Sequence, residues 1–317
     1  MFEKITIIGF GLIGSSLARA IRRAGLAEII IAADQKQDVC DKAMELGLAD
    51  AAMTDLRKSV FGSDLVIVCV PVGAYEDIGE AIGPALKAGA IVTDVGSVKN
   101  SAILALREHM PESVHFVPGH PIAGTEHSGP EAGFAELFEN RWCILTPMPD
   151  TDIKAVEKIT RLWELCGSRI EILDARRHDL ILGITSHLPH LIAYTIVGTA
   201  NDLEDDIKSE VIKFSASGFR DFTRIAASDP VMWRDIFMNN KEAVLEILQR
   251  FSEDLTALQK AIRRSDGTYL FDVFSRTRAI RREIIDQGQA DYRAPGGIKQ
   301  VGTPPVTAPH IKSDRAG

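Results

Sequence analysis

The stretch "ITIIGFGLIGSSLARAI" places a glycine-rich turn between a β-branched run and a run with helical spacing. Its glycines follow the spacing Gly9-x-Gly11-x-x-Gly14. Between a strand and a helix this spacing is typical of a dinucleotide site. The first glycine permits a tight turn, the second lets the backbone approach a pyrophosphate, and the third lets helix and strand pack closely. The sequence therefore predicts a nucleotide-binding βαβ unit at the start of the chain.

The rest of this turn and the end of the second β run complete the predicted cofactor site. A helix N-terminus offers free N–H groups to phosphates, so we expect Phe10, Leu12 and Ile13 to lie at the cofactor. Asp34 follows Gly14 by twenty residues. A carboxylate there can accept hydrogen bonds from the adenosine ribose and repels a 2'-phosphate, which favours NAD over NADP. FAD is the alternative cofactor, because its binding proteins use the same glycine spacing.

The first half of the chain alternates β runs with helical runs. The β runs "EIIIAAD", "DLVIVCVPV" and "AIVTDVGS" are almost wholly apolar. Such strands, separated by helices, indicate a parallel sheet that is covered on both faces. We predict an α/β fold in which residues 1–150 form a Rossmann-type, doubly wound NAD-binding domain.

The sequence pattern changes after Pro149. Asp150 or Thr151 can cap a helix, "RIEILD" is a short β run, and helical periodicity dominates from Arg176. We predict a helical substrate and dimerisation domain over 151–290 and a flexible tail over 291–317, which is rich in Pro and Gly. The run "RRHDLILGITSHLPHLIAYTIVGTA" is apolar nearly all round, so it should be buried. An intertwined homodimer or a monomeric helical core would each provide that burial.

Composition limits the partners. The net charge is -8, and broad nucleic-acid binding needs a basic surface. No uninterrupted apolar run approaches the roughly 20 residues that cross a bilayer, and the first residues do not resemble a signal peptide. We therefore expect a cytoplasmic protein with neither nucleic-acid nor membrane partners. The four cysteines are far apart in sequence, which disfavours a zinc site or a disulfide framework, and we expect no metal.

Two further strand ends should meet the cofactor, because ligands bind outside the carboxyl ends of the strands in such a sheet. The first, "CVPVGA", contains Val70 and Pro71. The second, "TDVGSVK", contains Gly96, Ser97 and Lys99 and offers a hydroxyl and a cation near the nicotinamide. Ser97 is also well placed to cap the helix that follows.

The stretch "VPGHPIAGTEHSG" comes after the next β run, and its prolines and glycines predict a loop. Pro121 restricts the backbone of His120, so the imidazole should be held at the rim of the nucleotide site. A dehydrogenase that oxidises an alcohol needs a base for the hydroxyl proton, and histidine titrates in the required pH range. His120 is the candidate base, with a loop-stabilising histidine as the alternative.

Several motifs together resemble the prephenate and arogenate dehydrogenases, the oxidative-decarboxylating enzymes of tyrosine biosynthesis. They are "GFGLIGSSLARAI", "DVGSVK", "GHPIAGTEHSG", "SHLPHLIA" and "GFRDFTRIAASDPVMWRDIF". The resemblance runs from about Lys4 to Gly288 and is strongest to the broad-specificity cyclohexadienyl dehydrogenases. It implies a homodimeric, NAD-dependent enzyme that takes hydride from C4 of prephenate or arogenate and releases carbon dioxide.

The resemblance also implies roles for individual residues. His120 would accept the proton of the substrate 4-hydroxyl, Ser97 would hold this histidine and the hydroxyl near the nicotinamide, and Arg224 would bind a substrate carboxylate. The guanidinium suits that role because it can bind a carboxylate bidentately, and Arg220 is a rival for it. The other residues implied around the substrate are His187, His190, Asp221, Trp233, Thr125 and Glu126. His187 and His190 are three residues apart and can face one side of a helix.

The sequence is also compatible with two other functions. A β-hydroxyacid dehydrogenase has a similar nucleotide domain and helical partner domain, but it generally relies on a helical lysine and lacks the "HPIAGTEHSG" pattern. A non-catalytic, NAD-sensing dimer has no need for Ser97, His120 and Arg224 together.

Overall fold

The computed structural model describes residues 1–125, 127–202 and 217–286. The chain forms two compact units, Met1–Phe251 and Ser252–Gly317. Glu126 and the predicted tail at 291–317 lie outside the described residues.

A six-stranded parallel sheet organises the first unit. Its strands are β1 (Phe2–Ile8), β2 (Ala27–Ala33), β3 (Ala51–Met53), β4 (Leu65–Val68), β5 (Ile91–Asp94) and β6 (His115–Val117). Their order is β3-β2-β1-β4-β5-β6, and every neighbouring pair is parallel. The order reverses between β1 and β4, which opens a crevice at their carboxyl ends. The predicted doubly wound parallel sheet is confirmed.

Helices cover both faces of this sheet. They are α1 (Leu12–Arg23), α2 (Gln37–Glu45), α3 (Leu56–Ser59), α4 (Tyr75–Ile82) and α5 (Asn100–Arg107). Because side chains alternate across a strand, Ile7 of β1 belongs to one buried apolar cluster with Leu17, while Ile8 belongs to a second with Tyr75. Burial on both faces explains why the strands are apolar throughout.

A second sheet follows directly from the first. It contains β7 (Gly119–Pro121), β8 (Trp142–Leu145) and β9 (Arg169–Ile172), with β7 antiparallel and β9 parallel to β8. The prediction of a loop for the whole of 117–129 is therefore wrong at β7. Proline and glycine are tolerated there because β7 is an edge strand.

Helix α6 (Ile153–Leu165) joins β8 to β9. Its cap is Asp152, whose side chain accepts a hydrogen bond from Ala155 N at 2.9 Å, rather than the expected Asp150 or Thr151. A capping side chain accepts a hydrogen bond from the N–H group two or three residues later in the chain. Asp152 lies three residues before Ala155 and so fills this role.

The remaining described chain is helical. A continuous helix contains α7 (Ala175–Leu182), a π-helical turn (Gly183–His187) and α8 (Leu188–Asn201). It is followed by α9 (Ser217–Thr223), a 3₁₀ turn (Arg224–Ala227), α10 (Pro230–Asn239) and α11 (Lys241–Arg263), which continues into the second unit. Within the second unit, α12 (Gly267–Ile284) is capped by Asp266.

The helix Ala175–Asn201 is long and apolar enough to span a membrane by length and composition, a test that core helices of soluble proteins also pass. It exceeds any uninterrupted apolar run because residues such as His187 interrupt it. Within α8 only Leu188 and Ala193 are buried, and Val197 is 41% exposed. Among the described residues, the packing around α8 does not provide the burial predicted for this helix.

Candidate active site

The three fingerprint glycines differ in what surrounds them. A Cβ on Gly9, whose φ is +88°, would lie 2.7 Å from the Cys69 carbonyl oxygen, and one on Gly14 would lie 2.1 Å from the Gly9 oxygen. No atom of the described residues lies within 4 Å of the corresponding position at Gly11. Gly9 and Gly14 are thus required by the protein's own backbone, whereas Gly11 borders open space that a pyrophosphate could approach.

Asp34 supports this turn. Its two carboxylate oxygens accept hydrogen bonds from Phe10 N and Lys36 N, each at 3.0 Å. A carboxylate has about four acceptor positions, so ribose hydroxyls can still bind. The Phe10 side chain is fully buried in the apolar core, and Leu12 and Ile13 pack against the same core. Phe10 can therefore meet a cofactor only through its backbone.

The ends of β4 and β5 lie at the same edge of the sheet. After β4, Val70 is half-buried and Pro71 is exposed. After β5, a Cβ on Gly96 would lie 2.6 Å from the Tyr75 hydroxyl and 2.9 Å from Asp94 Oδ2. Gly96 is thus required by a buried polar cluster beside the predicted cofactor site.

That cluster is an ion pair between Asp94 and Lys99, both fully buried. Asp94 also accepts hydrogen bonds from Gly119 N at 3.1 Å and Tyr75 Oη at 3.0 Å, while Lys99 Nζ donates to Gly119 O at 2.7 Å. Burial lowers the pKa of Lys99 and Asp94 opposes that shift. Lys99, expected to offer a cation to the nicotinamide, instead holds the carbonyl oxygen of Gly119, and Asp94 holds the N–H of that residue, immediately before His120.

His120 is buried on β7 and takes part in a chain of hydrogen bonds. Its Nδ1 lies 2.8 Å from His178 Nε2, and His178 Nδ1 lies 2.8 Å from Asp179 Oδ1. Asp179 also accepts hydrogen bonds from Lys99 N at 2.7 Å and Asn100 N at 2.9 Å, at the start of α5. We call His120, His178 and Asp179 the histidine relay.

The relay determines which nitrogen of His120 is free. Burial alone would raise the pKa of Asp179, but its hydrogen bonds hold it below the usual range, so the carboxylate only accepts. His178 Nδ1 must donate to it. Burial lowers the pKa of His178 and, further, that of His120, so both rings are neutral at pH 7. His178 Nε2 then accepts, His120 Nδ1 donates, and His120 Nε2 keeps its lone pair.

The sequence patterns did not identify His178 and Asp179 as site residues. The adjacent His-Asp pair in a largely apolar helix is nevertheless a usable signal for a buried polar contact. The resemblance implies that Ser97 holds His120. The described residues contain no hydrogen bond from the half-buried Ser97 side chain, and the observed partner of His120 is His178.

A second cluster surrounds Trp233. His190 stacks on the indole with ring centroids 3.6 Å apart and an interplanar angle of 22°, while His187 meets it edge-on at 6.0 Å. His190 Nδ1 donates to Ser186 O at 2.8 Å. Both histidines thus lie against one aromatic ring. Burial mainly lowers the pKa of His120, and His187 adds to that shift. The Asn240 side chain hydrogen-bonds to His187 Nδ1 and to the Asp179 carbonyl oxygen, so this cluster lies beside the relay.

The other candidate substrate residues are more exposed. Arg224 lies in the 3₁₀ turn and is close enough to His190 to add to the lowering of its pKa, which burial mainly causes. Asp221 is exposed on α9, and Thr125 is exposed with its hydroxyl accepting from His127 N at 3.2 Å. Glu126 lies outside the described residues. The structure therefore brings together His120, His187, His190 and Trp233, with Arg224 beside them.

A glycine turn on a doubly wound sheet, with a neutral buried histidine at a neighbouring strand end, fits the class of nicotinamide-dependent dehydrogenases. The chain belongs to the prephenate dehydrogenase family. Residues 17–172 match the family's nucleotide-binding domain, and residues 174–276 match its dimerization domain. The resemblance found in the sequence is thereby confirmed.

Individual relatives cover most of the chain. The cyclohexadienyl dehydrogenase of Zymomonas mobilis is 43% identical over 281 residues, which are 89% of this chain and 96% of the relative. The crystal structure of Aquifex aeolicus prephenate dehydrogenase with hydroxyphenyl propionate and NAD+ has a TM-score of 0.83 and 35% identity, covering 90% of this chain and 99% of that one. Synechocystis arogenate dehydrogenase has a TM-score of 0.74 and 30% identity, covering 89% and 99%.

Proposed function

We propose that this chain catalyses the NAD-dependent oxidative decarboxylation of prephenate, arogenate or both, in tyrosine biosynthesis. The observation that carries the proposal is the histidine relay, which leaves His120 Nε2 as a neutral acceptor. The family membership supports the same reaction. The β-hydroxyacid dehydrogenase and NAD-sensor alternatives are not favoured, because both family models and the near relatives are prephenate or related dehydrogenases.

Different groups of the protein would bind NAD and accept the hydroxyl proton. The Gly9–Gly14 turn, Asp34 and the strand ends at Val70, Pro71, Gly96 and Ser97 would hold NAD, which supplies a hydride acceptor when bound. His120 Nε2 takes the proton of the 4-hydroxyl, and Asp179 stabilises the resulting imidazolium through His178. Breaking the bond between the ring and its carboxylate releases carbon dioxide, and the electron pair left behind makes the ring aromatic.

Substrate binding is assigned to the helical residues. Arg224 would bind a carboxylate bidentately, which an acidic protein must provide through a local cation. His187, His190 and Trp233 would form the wall of the pocket. Thr125, Glu126 and Asp221 are assigned to its rim on the resemblance. Prephenate would yield 4-hydroxyphenylpyruvate, and arogenate would yield tyrosine.

The proposal includes a cytoplasmic homodimer, with residues 151–290 as the helical substrate and dimerisation domain. The exposed apolar side chains of the helix Ala175–Asn201, such as Ile184 at 57%, support a partner subunit that covers them. The family model for residues 174–276 is itself described as a dimerization domain. Light scattering should give twice the mass of the chain, and a monomeric mass would overturn this part.

The reaction is tested by following NADH absorbance with prephenate and with arogenate in separate assays. We expect NADH formation with at least one of them and slower turnover with NADP, because Asp34 repels a 2'-phosphate. The absence of any absorbance change with both substrates would overturn the proposal.

A further inference from the structure

Asn240 follows α10, and its buried side-chain amide bridges two groups near the relay. Its Nδ2 lies 2.9 Å from the Asp179 carbonyl oxygen and 3.0 Å from His187 Nδ1. A backbone carbonyl can only accept, so the amide atom facing it must be the nitrogen. Turning the amide over would set two oxygen atoms against each other. The NH₂ group of Asn240 therefore donates to both partners.

This contact fixes the tautomer of His187. Because His187 Nδ1 accepts a hydrogen bond, it carries the lone pair. Burial lowers the pKa of His187 to about 4, so the ring is neutral at pH 7 and its one N–H must be at Nε2. That Nε2 atom is buried and has no hydrogen-bond partner in the described part of the chain. A buried donor without a partner is costly in a native protein and calls for an explanation such as a ligand.

The orphaned donor belongs to the candidate active site. His187 lies against Trp233, on which His190 stacks, and Asn240 joins it to Asp179 of the relay. The Trp233 indole Nε1 is also buried without a partner among the described residues. Two N–H donors without a partner among the described residues thus lie in the cluster beside the relay, where a substrate with two carboxylates has to be accommodated.

We propose that Asn240 is a positioning residue that holds His187 as an Nε2–H donor, and that this hydrogen bonds an anionic oxygen of the substrate. The proposal rests on the proposed function. The two histidines then have opposite roles, since His120 Nε2 accepts a proton while His187 Nε2 donates a hydrogen bond. Asp179 controls both tautomers, through its carboxylate to His178 and through its carbonyl to Asn240.

The variant Asn240→Asp tests this assignment. Aspartate has nearly the same shape as asparagine, but an ionised aspartate can only accept hydrogen bonds and cannot donate them. His187 Nδ1 must then donate, and the neutral ring loses its donor at Nε2. At alkaline pH we expect KM for the substrate to rise about tenfold or more, as for a lost hydrogen bond to a charged group. The value of kcat should change much less, and KM for NAD should stay the same.

The pH profile separates positioning from a structural role. Protonated His187 carries hydrogen on both nitrogens, so the donor returns when the ring becomes charged. The titratable groups around it are Asp179, His178, His190 and His120, and the new carboxylate adds a negative charge. In Asn240→Asp, KM should fall back toward the wild-type value as pH decreases. An unchanged KM, or one raised equally at every pH, would overturn the proposal.

The unaltered enzyme offers a second measurement that does not depend on a variant folding. Two-bond ¹H–¹⁵N correlation spectra of histidine-labelled protein report which ring nitrogen carries hydrogen, and His187→Gln assigns the signal. We expect the Nε2–H tautomer at His187, and an Nδ1–H tautomer would overturn the proposal. If the wild-type enzyme oxidised neither prephenate nor arogenate, the proposed function would fail, while these spectra would still decide the role of Asn240.

Discussion

The glycine turn and the histidine relay are built in opposite ways. The turn lies within Gly9–Gly14 and works by leaving side chains out, since a Cβ at Gly14 would lie 2.1 Å from the Gly9 oxygen. The relay joins His120 to His178, 58 residues away, and works by side-chain hydrogen bonds. The first device depends on local backbone freedom, and the second depends on which helix packs beside β7. Substitutions in the turn should therefore affect cofactor binding or packing, whereas substitutions in the relay should affect proton transfer.

The largest effect is expected for His120→Asn, which keeps a polar side chain but removes the base. General-base catalysis typically contributes about 10²–10⁴-fold, so kcat should fall by that factor while the KM values change little. Steady-state kinetics with NAD at saturation provides the measurement. Near wild-type turnover would show that His120 is not the base.

A smaller loss is expected for Asp179→Asn, which removes the carboxylate that sets the tautomers of the relay. We expect kcat to fall about 10²-fold, because His120 Nε2 no longer keeps its lone pair in every molecule. Asp202→Asn, at the exposed end of α8, is the matched control and should be neutral. The double variant with His120→Asn should be no slower than His120→Asn alone, and additive losses would contradict the relay.

The relay region should also make stability depend on pH. The pKa values of His120, His178, His187 and His190 are all lowered by burial, so the unfolded chain binds more protons below pH 6.5. The contribution of these histidines to the free energy of unfolding should therefore be fully present above that pH and should be lost as pH decreases toward 4. The shift of His187 to about 4 alone corresponds to about 3 kcal/mol. Urea unfolding at pH 8, 6 and 5 tests this, and a constant free energy would contradict it.

A substitution in the glycine turn should change either cofactor binding or packing, depending on which glycine is replaced. Gly11→Ala meets open space in the protein, so the fold should be kept while KM for NAD rises, by about tenfold. Gly14→Ala places a Cβ against the Gly9 backbone and should destabilise the fold by about 1–3 kcal/mol. Thermal unfolding and NAD kinetics of this pair provide the comparison. A lower Tm for Gly11→Ala than for Gly14→Ala would reverse our assignment.

The same contrast explains what the sequence could predict. The glycine spacing and the apolar strands are local patterns, and they predicted the parallel sheet and the turn correctly. His120 was singled out from its position after a β run, and its role as the base stays a prediction. The contacts of Asp94 with Lys99, of His178 with His120 and of Asn240 with His187 could not be predicted, because each joins elements that only tertiary packing brings together. The short strand β7 was missed because its pairing with β8 outweighs the local preference of glycine and proline.

The π-helical turn Gly183–His187 has a consequence for the phase of the helix that contains it. His178 and His187 are nine residues apart, about two and a half turns of a regular α-helix, which would set them on opposite sides. The wider turn changes that phase, so that His178 bonds to His120 while His187 meets Asn240, whose amide also bonds to Asp179. Deleting one residue from this turn would rotate all of α8 by about 100° relative to α7. One additional residue therefore determines whether the two halves of the helix contribute to the same site.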